Sequence, residues 1–116
     1  MGLDFEFLAG EGPIVHVPIR TAEQVRALRT DRTGDLNYVA RAIEKVAAHF
    51  ASPRADGDQL GIIGFCGAPF TLASYMIEGG SSRNYIETKK LMYSDNIAWP
   101  MLMEKLVTVL VDFAQQ

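Results

Sequence analysis

Few side chains in this sequence combine reactivity with a partner at a useful spacing. Cys66, the one cysteine, directly follows the apolar run Leu60 to Phe65, at a strand end where nucleophiles occur. No histidine or second cysteine lies near it in sequence to generate a thiolate, so a small apolar side chain packed at the strand end is the favoured reading. His16, His49 and Cys66 stand far apart and match no metal-ligand spacing, which argues against a metal site. His16 reads as a strand-face residue and His49 as the end of a helix, where partial positive charge is favourable. The turn Gly64-Phe65-Cys66-Gly67-Ala68-Pro69 joins strand to helix as phosphate loops do. It lacks the Lys-Ser/Thr ending of the P-loop and the third glycine of the dinucleotide fingerprint. Tyr75 lies about two turns into the helix that Pro69 opens, facing the carboxyl end of the strand, where ligands bind in open sheets and barrels. A phenol there can donate a hydrogen bond to a carboxylate or supply a proton, although amphipathic packing accounts for the same spacing. Arg83, after Gly79-Gly80-Ser81-Ser82, is placed to meet an anion or simply to be solvated. Trp99, Met101 and Met103 crowd one helix turn and read as core or subunit contact.

The elements that must hold these groups come from a chain of 116 residues, 48% hydrophobic and 22% charged, a composition too apolar for disorder. One domain is the ceiling at this length, with enough surface buried for a core without disulfides or metals. The formal charge of −3, with basic residues scattered, leaves no footprint for nucleic acid. No apolar run is long enough to span a bilayer. Met1 to Glu6 lacks the basic segment of a signal peptide, and Glu6 stands where a myristoylation signal needs Ser or Thr. A single thiol suits a reducing compartment, so a cytoplasmic location is expected.

Leu3, Phe5 and Phe7 alternate with Asp4 and Glu6 as in a half-buried strand, and the turn residues Ala9 to Pro13 lead to a second strand, Ile14 to Val17, pairing back as a hairpin. Thr21 with Gln24 has the form of a capping box opening a short helix to about Arg29, with Val25 and Leu28 inward. Leu36, Val39, Ala40, Ile43, Val46, Ala47 and Phe50 predict a second helix over about Asp35 to Ala51. Ser52 to Asp58 is loop-like. Leu60 to Phe65, apolar throughout, reads as a strand buried on both faces and hence parallel. The following helix starts at Pro69, which needs no N–H partner in a first turn, and closes at Gly79-Gly80. A further helix is predicted from near Asn84, with Glu87 in the capping-box position, to Tyr93. Asp95 or Asn96 caps the last one, with Pro100 in its first turn and Leu102, Met103, Leu106, Val109, Leu110 and Phe113 buried. This order is the grammar of an α/β protein. One clear parallel strand cannot make a sheet, so the pattern is expected to be a segment of something larger.

The stretch Ile62-Ile63-Gly64-Phe65-Cys66-Gly67-Ala68-Pro69-Phe70-Thr71-Leu72-Ala73-Ser74-Tyr75-Met76-Ile77-Glu78-Gly79-Gly80 closely resembles a signature block of the uroporphyrinogen decarboxylase family. The likeness continues from Tyr85 to the Lys-rich helix ending Leu91-Met92-Tyr93. It extends back over Met1 to Ile19, with Gly10-Glu11-Gly12-Pro13, and over Arg20 to Leu28, covering nearly the whole chain. Ser52 to Asp58 is looser, and Cys66 stands where the family more often has Ser or Ala.

That resemblance implies a (β/α)8 TIM barrel enzyme of haem biosynthesis, cofactor-free, cytoplasmic and usually a homodimer. It removes carbon dioxide from the four acetate arms of uroporphyrinogen III to give coproporphyrinogen III. It also implies substrate contacts by Tyr75, matching a cleft tyrosine, and by Phe65, matching a wall residue at the strand end. The family aspartate that gathers the pyrrole N–H groups and the arginines of the first βα loop match no position here. The chain is therefore expected to be one incomplete segment, residues 1–116, of such a barrel, which needs about 250 residues, and to be inactive alone. Two other readings compete. One is a short non-enzymatic paralogue that self-associates or binds a partner through the helix from Trp99 to Phe113. The other is a corrinoid-dependent methyltransferase of the same superfamily, which would carry zinc-ligand His and Cys residues.

Overall fold

A computed structural model describes residues 1–10, 12–51 and 61–116. Ser52 to Asp58 and Leu60 lie outside the described residues. The described residues form a mixed α/β structure of one antiparallel strand pair, five α-helices and one 3₁₀ turn. Strands β1 (Phe5–Phe7) and β2 (Pro13–Val15) form the hairpin, with Phe5 opposite Val15 and Glu6 opposite Ile14. Only Val15 is buried; Phe5 and Phe7 are exposed and pack edge to face on each other at 5.6 Å. In the predicted alternation, Leu3 packs against the core, but Phe5 and Phe7 are left exposed among the described residues.

Helix α1 (Ala22–Ala27) begins with the capping box the sequence announces: the Gln24 amide donates to the Thr21 hydroxyl, and the Gln24 side chain returns to the Thr21 backbone. A 3₁₀ turn (Thr33–Leu36) then leads into α2 (Asn37–Phe50). This helix has the amphipathic stripe that was predicted, yet none of its residues is buried. Ile43, Val46 and Phe50 remain exposed.

The strand expected over Leu60 to Phe65 is not formed across its described part: residues 61–68 adopt no regular structure, and Ile63 and Phe65 are 93% and 97% exposed. A strand buried on both faces exists only between partners, and no described segment pairs with this one. Cys66, expected to pack in apolar surroundings, is exposed for the same reason.

Helix α3 (Pro69–Glu78) starts at Pro69 and ends at Gly79, whose left-handed φ of 86° lets its N–H reach the Tyr75 carbonyl at 3.0 Å. Helix α4 (Ile86–Ser94) follows. Its start corrects the assignment to Asn84 and a Glu87 capping box. Tyr85 occupies the cap with φ 51°, ψ 45°, and Glu78 reaches across to accept from the Thr88 N–H and hydroxyl, both at 2.8 Å. Helix α5 (Ala98–Ala114) is preceded by Asp95, whose carboxylate accepts from the N–H groups of Ile97 and Ala98 at 3.0 and 2.7 Å.

The core lies between α1, α3, α4 and α5, with Ile19, Val25, Ile77, Leu102 and Leu106 almost fully enclosed. Trp99, Met101 and Met103 pack against it, as their apolar cluster suggests. The accessible surface is 8194 Å² for 12.8 kDa, against roughly 6300 Å² for a folded monomer of that mass. Among the described residues, α2 has no buried side chain and residues 61–66 are all exposed.

Candidate functional site

The best-built part of the molecule surrounds Tyr75. Ala73, Met76 and Ile77 anchor α3 in the core, and the strap from Val15 to Arg20 ties down the carbonyls at the helix end. Val15 N donates to Gly79 O, Ile19 N to Met76 O and Arg20 Nε to Ile77 O, each at 2.8 Å. Tyr75 is thereby turned away from the core towards the hairpin loop. Gly12 sits so close that a Cβ there would lie 3.4 Å from Cε1 and 3.5 Å from the phenol oxygen. The ring rests within ordinary van der Waals reach of Gly12, and Tyr75 is half-buried.

A recess of about 120 Å³ opens beside the ring, between α3 and the loop leading to α4. Thr71, Ser74 and Tyr75 line it from the helix, and Ser81, Ser82 and Tyr85 from the loop, with Phe70 as its apolar wall. Phe70 is fixed by edge-to-face contacts with Tyr85 at 5.8 Å and Trp99 at 6.2 Å. Gly80 and Ser81 also border a broader cleft of about 590 Å³ whose lining includes Gly10, Gly12, Ile14 and Glu78; Tyr75 does not line it and meets it through its contact with Gly12.

Phe65 lies elsewhere. It lines an apolar cleft of about 500 Å³ with Val39, Ile43, Cys66 and Phe113. That cleft shares no lining residue with the Tyr75 recess. The two residues singled out from the sequence are thus not brought to one cavity by the described residues. Arg83 is exposed and lines neither. The serine pair, Tyr85 and Gly12 were missed as site residues. The one available signal was a run of hydroxyl residues directly after Gly79-Gly80.

Two charged clusters lie outside this site. His16 donates or accepts through both ring nitrogens, to Asp4 at 2.8 Å and Glu6 at 3.2 Å. The hydrogen bond to Asp4 foremost, then that to Glu6, raises its pKa above 6.5. Arg20 pairs with Glu87 at 3.2 Å, and Lys90 approaches the same carboxylate at 3.9 Å. No three His, Cys, Asp or Glu side chains among the described residues are grouped to hold a metal ion, and no described helix is long and apolar enough to cross a membrane.

Comparison with known proteins accounts for the α3 block and the loop after it. The family described as Uroporphyrinogen decarboxylase (URO-D) matches residues 1–116. A uroporphyrinogen decarboxylase of Koribacter versatilis is 59% identical over 113 residues, covering 97% of this chain and 30% of the relative. That of Solibacter usitatus is 50% identical over 114 residues, covering 98% of this chain and 31% of the relative. That of Listeria monocytogenes is 46% identical over 107 residues, covering 91% and 29%. The chain therefore spans about 30% of the length of the curated relatives it matches. With its whole length matched, and a tyrosine-centred polar recess at the heart of the matched block, the chain belongs to the uroporphyrinogen decarboxylase family.

Proposed function

We propose that this chain supplies part of the substrate cleft of a uroporphyrinogen decarboxylase, acting in the cytoplasm on the path to haem. The observation that carries this reading is Tyr75, held half-buried between a hydroxyl-lined recess and a glycine-walled surface, within a chain matched by the family end to end. A flat macrocycle with carboxylate arms fits such a surface: main chain without Cβ atoms permits close approach, and a phenol at its edge donates to a carboxylate.

The reaction needs no cofactor in this reading. Protonation of a pyrrole carbon beside each acetate makes the ring an electron sink, the C–C bond to the carboxylate breaks and carbon dioxide leaves, the exocyclic methylene takes up a proton to become methyl, and the ring carbon gives back the proton it first took, so that one proton is consumed per carbon dioxide released. The contribution of this chain is to bind and orient the arms, with Tyr75 and Phe65 as substrate contacts. Bringing Phe65 to the cleft requires residues 61–65 to join a parallel sheet, as a (β/α)8 barrel would provide. The bare stripe of α2 would then be covered within such a barrel or by a homodimer partner. Alone, the chain does not turn over uroporphyrinogen.

The test is a fluorescence titration of the 116-residue chain with uroporphyrin and with its fully esterified derivative, which keeps the macrocycle but loses the carboxylates. Selective binding of the free acid, weakened in Tyr75→Phe, supports the reading. Failure to bind, or equal binding of acid and ester, refutes it.

A further inference from the structure

The hydroxyl groups around Tyr75 are unequally committed. Ser74 Oγ donates its proton to the Thr71 carbonyl at 2.8 Å. Ser82 Oγ accepts from the Tyr85 N–H at 3.1 Å, which uses a lone pair and leaves its proton to give. The hydroxyls of Thr71, Tyr75, Ser81 and Tyr85 have no hydrogen-bond partner among the described residues. Five residues that carry O–H donors to give thus line one recess whose lining has no charged side chain.

Tyr85 takes its place there in an unusual way. It is the only non-glycine with positive φ among the described residues, at 51°, a conformation that bulky side chains rarely adopt. The Ser82 hydroxyl and the ring of Phe70 hold it. An observed outlier of this kind, maintained by its surroundings, points to a use for the side chain it presents.

The donors fit an acceptor-rich group. A carboxylate offers about four lone-pair sites and no proton, and about 120 Å³ equals roughly four water volumes at about 30 Å³ each, room for a carboxylate and a methylene or two. The chemistry decides which carboxylate. In decarboxylation the carboxylate electrons flow into the ring, so hydrogen bonds that hold charge on those oxygens stabilise the ground state and slow the loss of carbon dioxide. A cage of O–H donors suits an arm that stays, not one that leaves.

We infer that the recess formed by Thr71, Tyr75, Ser81, Ser82 and Tyr85 is a subsite for a carboxylate arm that the reaction leaves intact, with Ser81 and Tyr85 as specificity residues. This rests on the porphyrinogen reading above, and the test separates the two. Propionate is titrated into ¹⁵N-labelled chain, and coproporphyrin, which carries only retained arms, is titrated into the wild type and the Ser81→Ala/Tyr85→Phe double variant, whose folding is checked by circular dichroism. Expected are saturable shifts of the amides of Ser81, Ser82 and Tyr85 with propionate, lost in the variant, and coproporphyrin binding weakened at least about tenfold by the two missing donors. Absence of the propionate shifts in the wild type overturns the subsite. Unchanged coproporphyrin binding by the variant also overturns it while leaving the porphyrinogen reading in place. Propionate binding without any porphyrin binding overturns the assignment to a porphyrinogen arm and the proposed function together. Should the double variant unfold, Ser81→Ala alone must still weaken coproporphyrin, or the subsite falls.

Discussion

Substituting Gly79 by alanine should destabilise this fold more than any other single-methyl addition on its surface, because two independent costs coincide there. The residue sits at φ 86°, where an L side chain costs about 1–2 kcal/mol. Its Cβ would also lie 2.7 Å from Pro18 Cγ, a clash whose relief by shifting the strap or the helix costs about 1–3 kcal/mol on the scale of overpacked cores. The strap cannot move freely, since Val15 N bonds Gly79 O and Ile19 N bonds Met76 O. Reduced freedom of the unfolded chain returns about 0.4–1 kcal/mol. The net loss is about 1–5 kcal/mol, a large part of the roughly 5–15 kcal/mol available to a domain. Urea unfolding followed by circular dichroism measures it, at unchanged m-value. A cycle with Pro18→Ala isolates the clash, which should appear as a coupling of about 1–2 kcal/mol, while Gly79→Asn eases the φ cost and keeps the clash. A loss below about 0.5 kcal/mol for Gly79→Ala, or a cycle without coupling, would refute the reasoning.

His16, Asp95 and Lys105 each lead to a further expected outcome. The raised pKa of His16 means its links to Asp4 and Glu6 stabilise the hairpin fully below the ordinary value of 6.5 and are lost as pH rises through the higher folded-state value; NMR titration of the ring should show the raised value, and His16→Gln should abolish the stability difference between about pH 5.5 and 8.5. Asp95 is held below its ordinary 3.8 chiefly by the Ala98 N–H, then by that of Ile97, so its contribution is present above that value and disappears as pH falls through the lowered one; Asp95→Ala should lower the urea midpoint at neutral pH and flatten its acid limb. Lys105 Nζ donates to the carbonyls of Arg26 and Leu28 at 2.7 and 2.6 Å, and Lys105→Met, which keeps the stem and removes the donor, should cost about 1–3 kcal/mol in the same assay.

The features legible in the sequence are those whose physics is complete within a few residues. Thr21 and Gln24 satisfy each other's backbone, Pro69 needs no donor in a first turn, Gly79 reaches a left-handed angle cheaply, and Asp95 bonds amides two and three positions ahead. The features that failed depend on distant neighbours. Ile62 to Phe65 has the composition of an inner strand, but pairing is a property of two segments, and neither Phe65 nor Cys66 can be buried without the second. The stripe on α2 announces a buried face without naming what buries it. The start of α4 misled for a different reason, since its amide partner is Glu78 from the preceding helix rather than a residue at capping-box spacing. The candidate site divides in the same way. From spacing alone Tyr75 reads equally as helix packing and only the family resemblance singles it out, whereas the recess beside it needs Ser81, Ser82 and Tyr85 brought against α3.

The bonds that tie the N-terminal part of the chain to the end of α3 and the middle of α5 also set an order of events. Arg20 bonds a carbonyl 57 positions later, and Lys105 reaches back 79 positions to Arg26. Local pieces such as α1 form within microseconds, but these closures wait for chain not yet made. At roughly 5–20 residues per second, Ile19, Val25 and Leu28 are translated roughly 4–15 s before Lys105. In that interval they are apolar side chains without a core, the state that holdase chaperones bind. The late-made half of the molecule therefore decides when the early-made half becomes safe from aggregation.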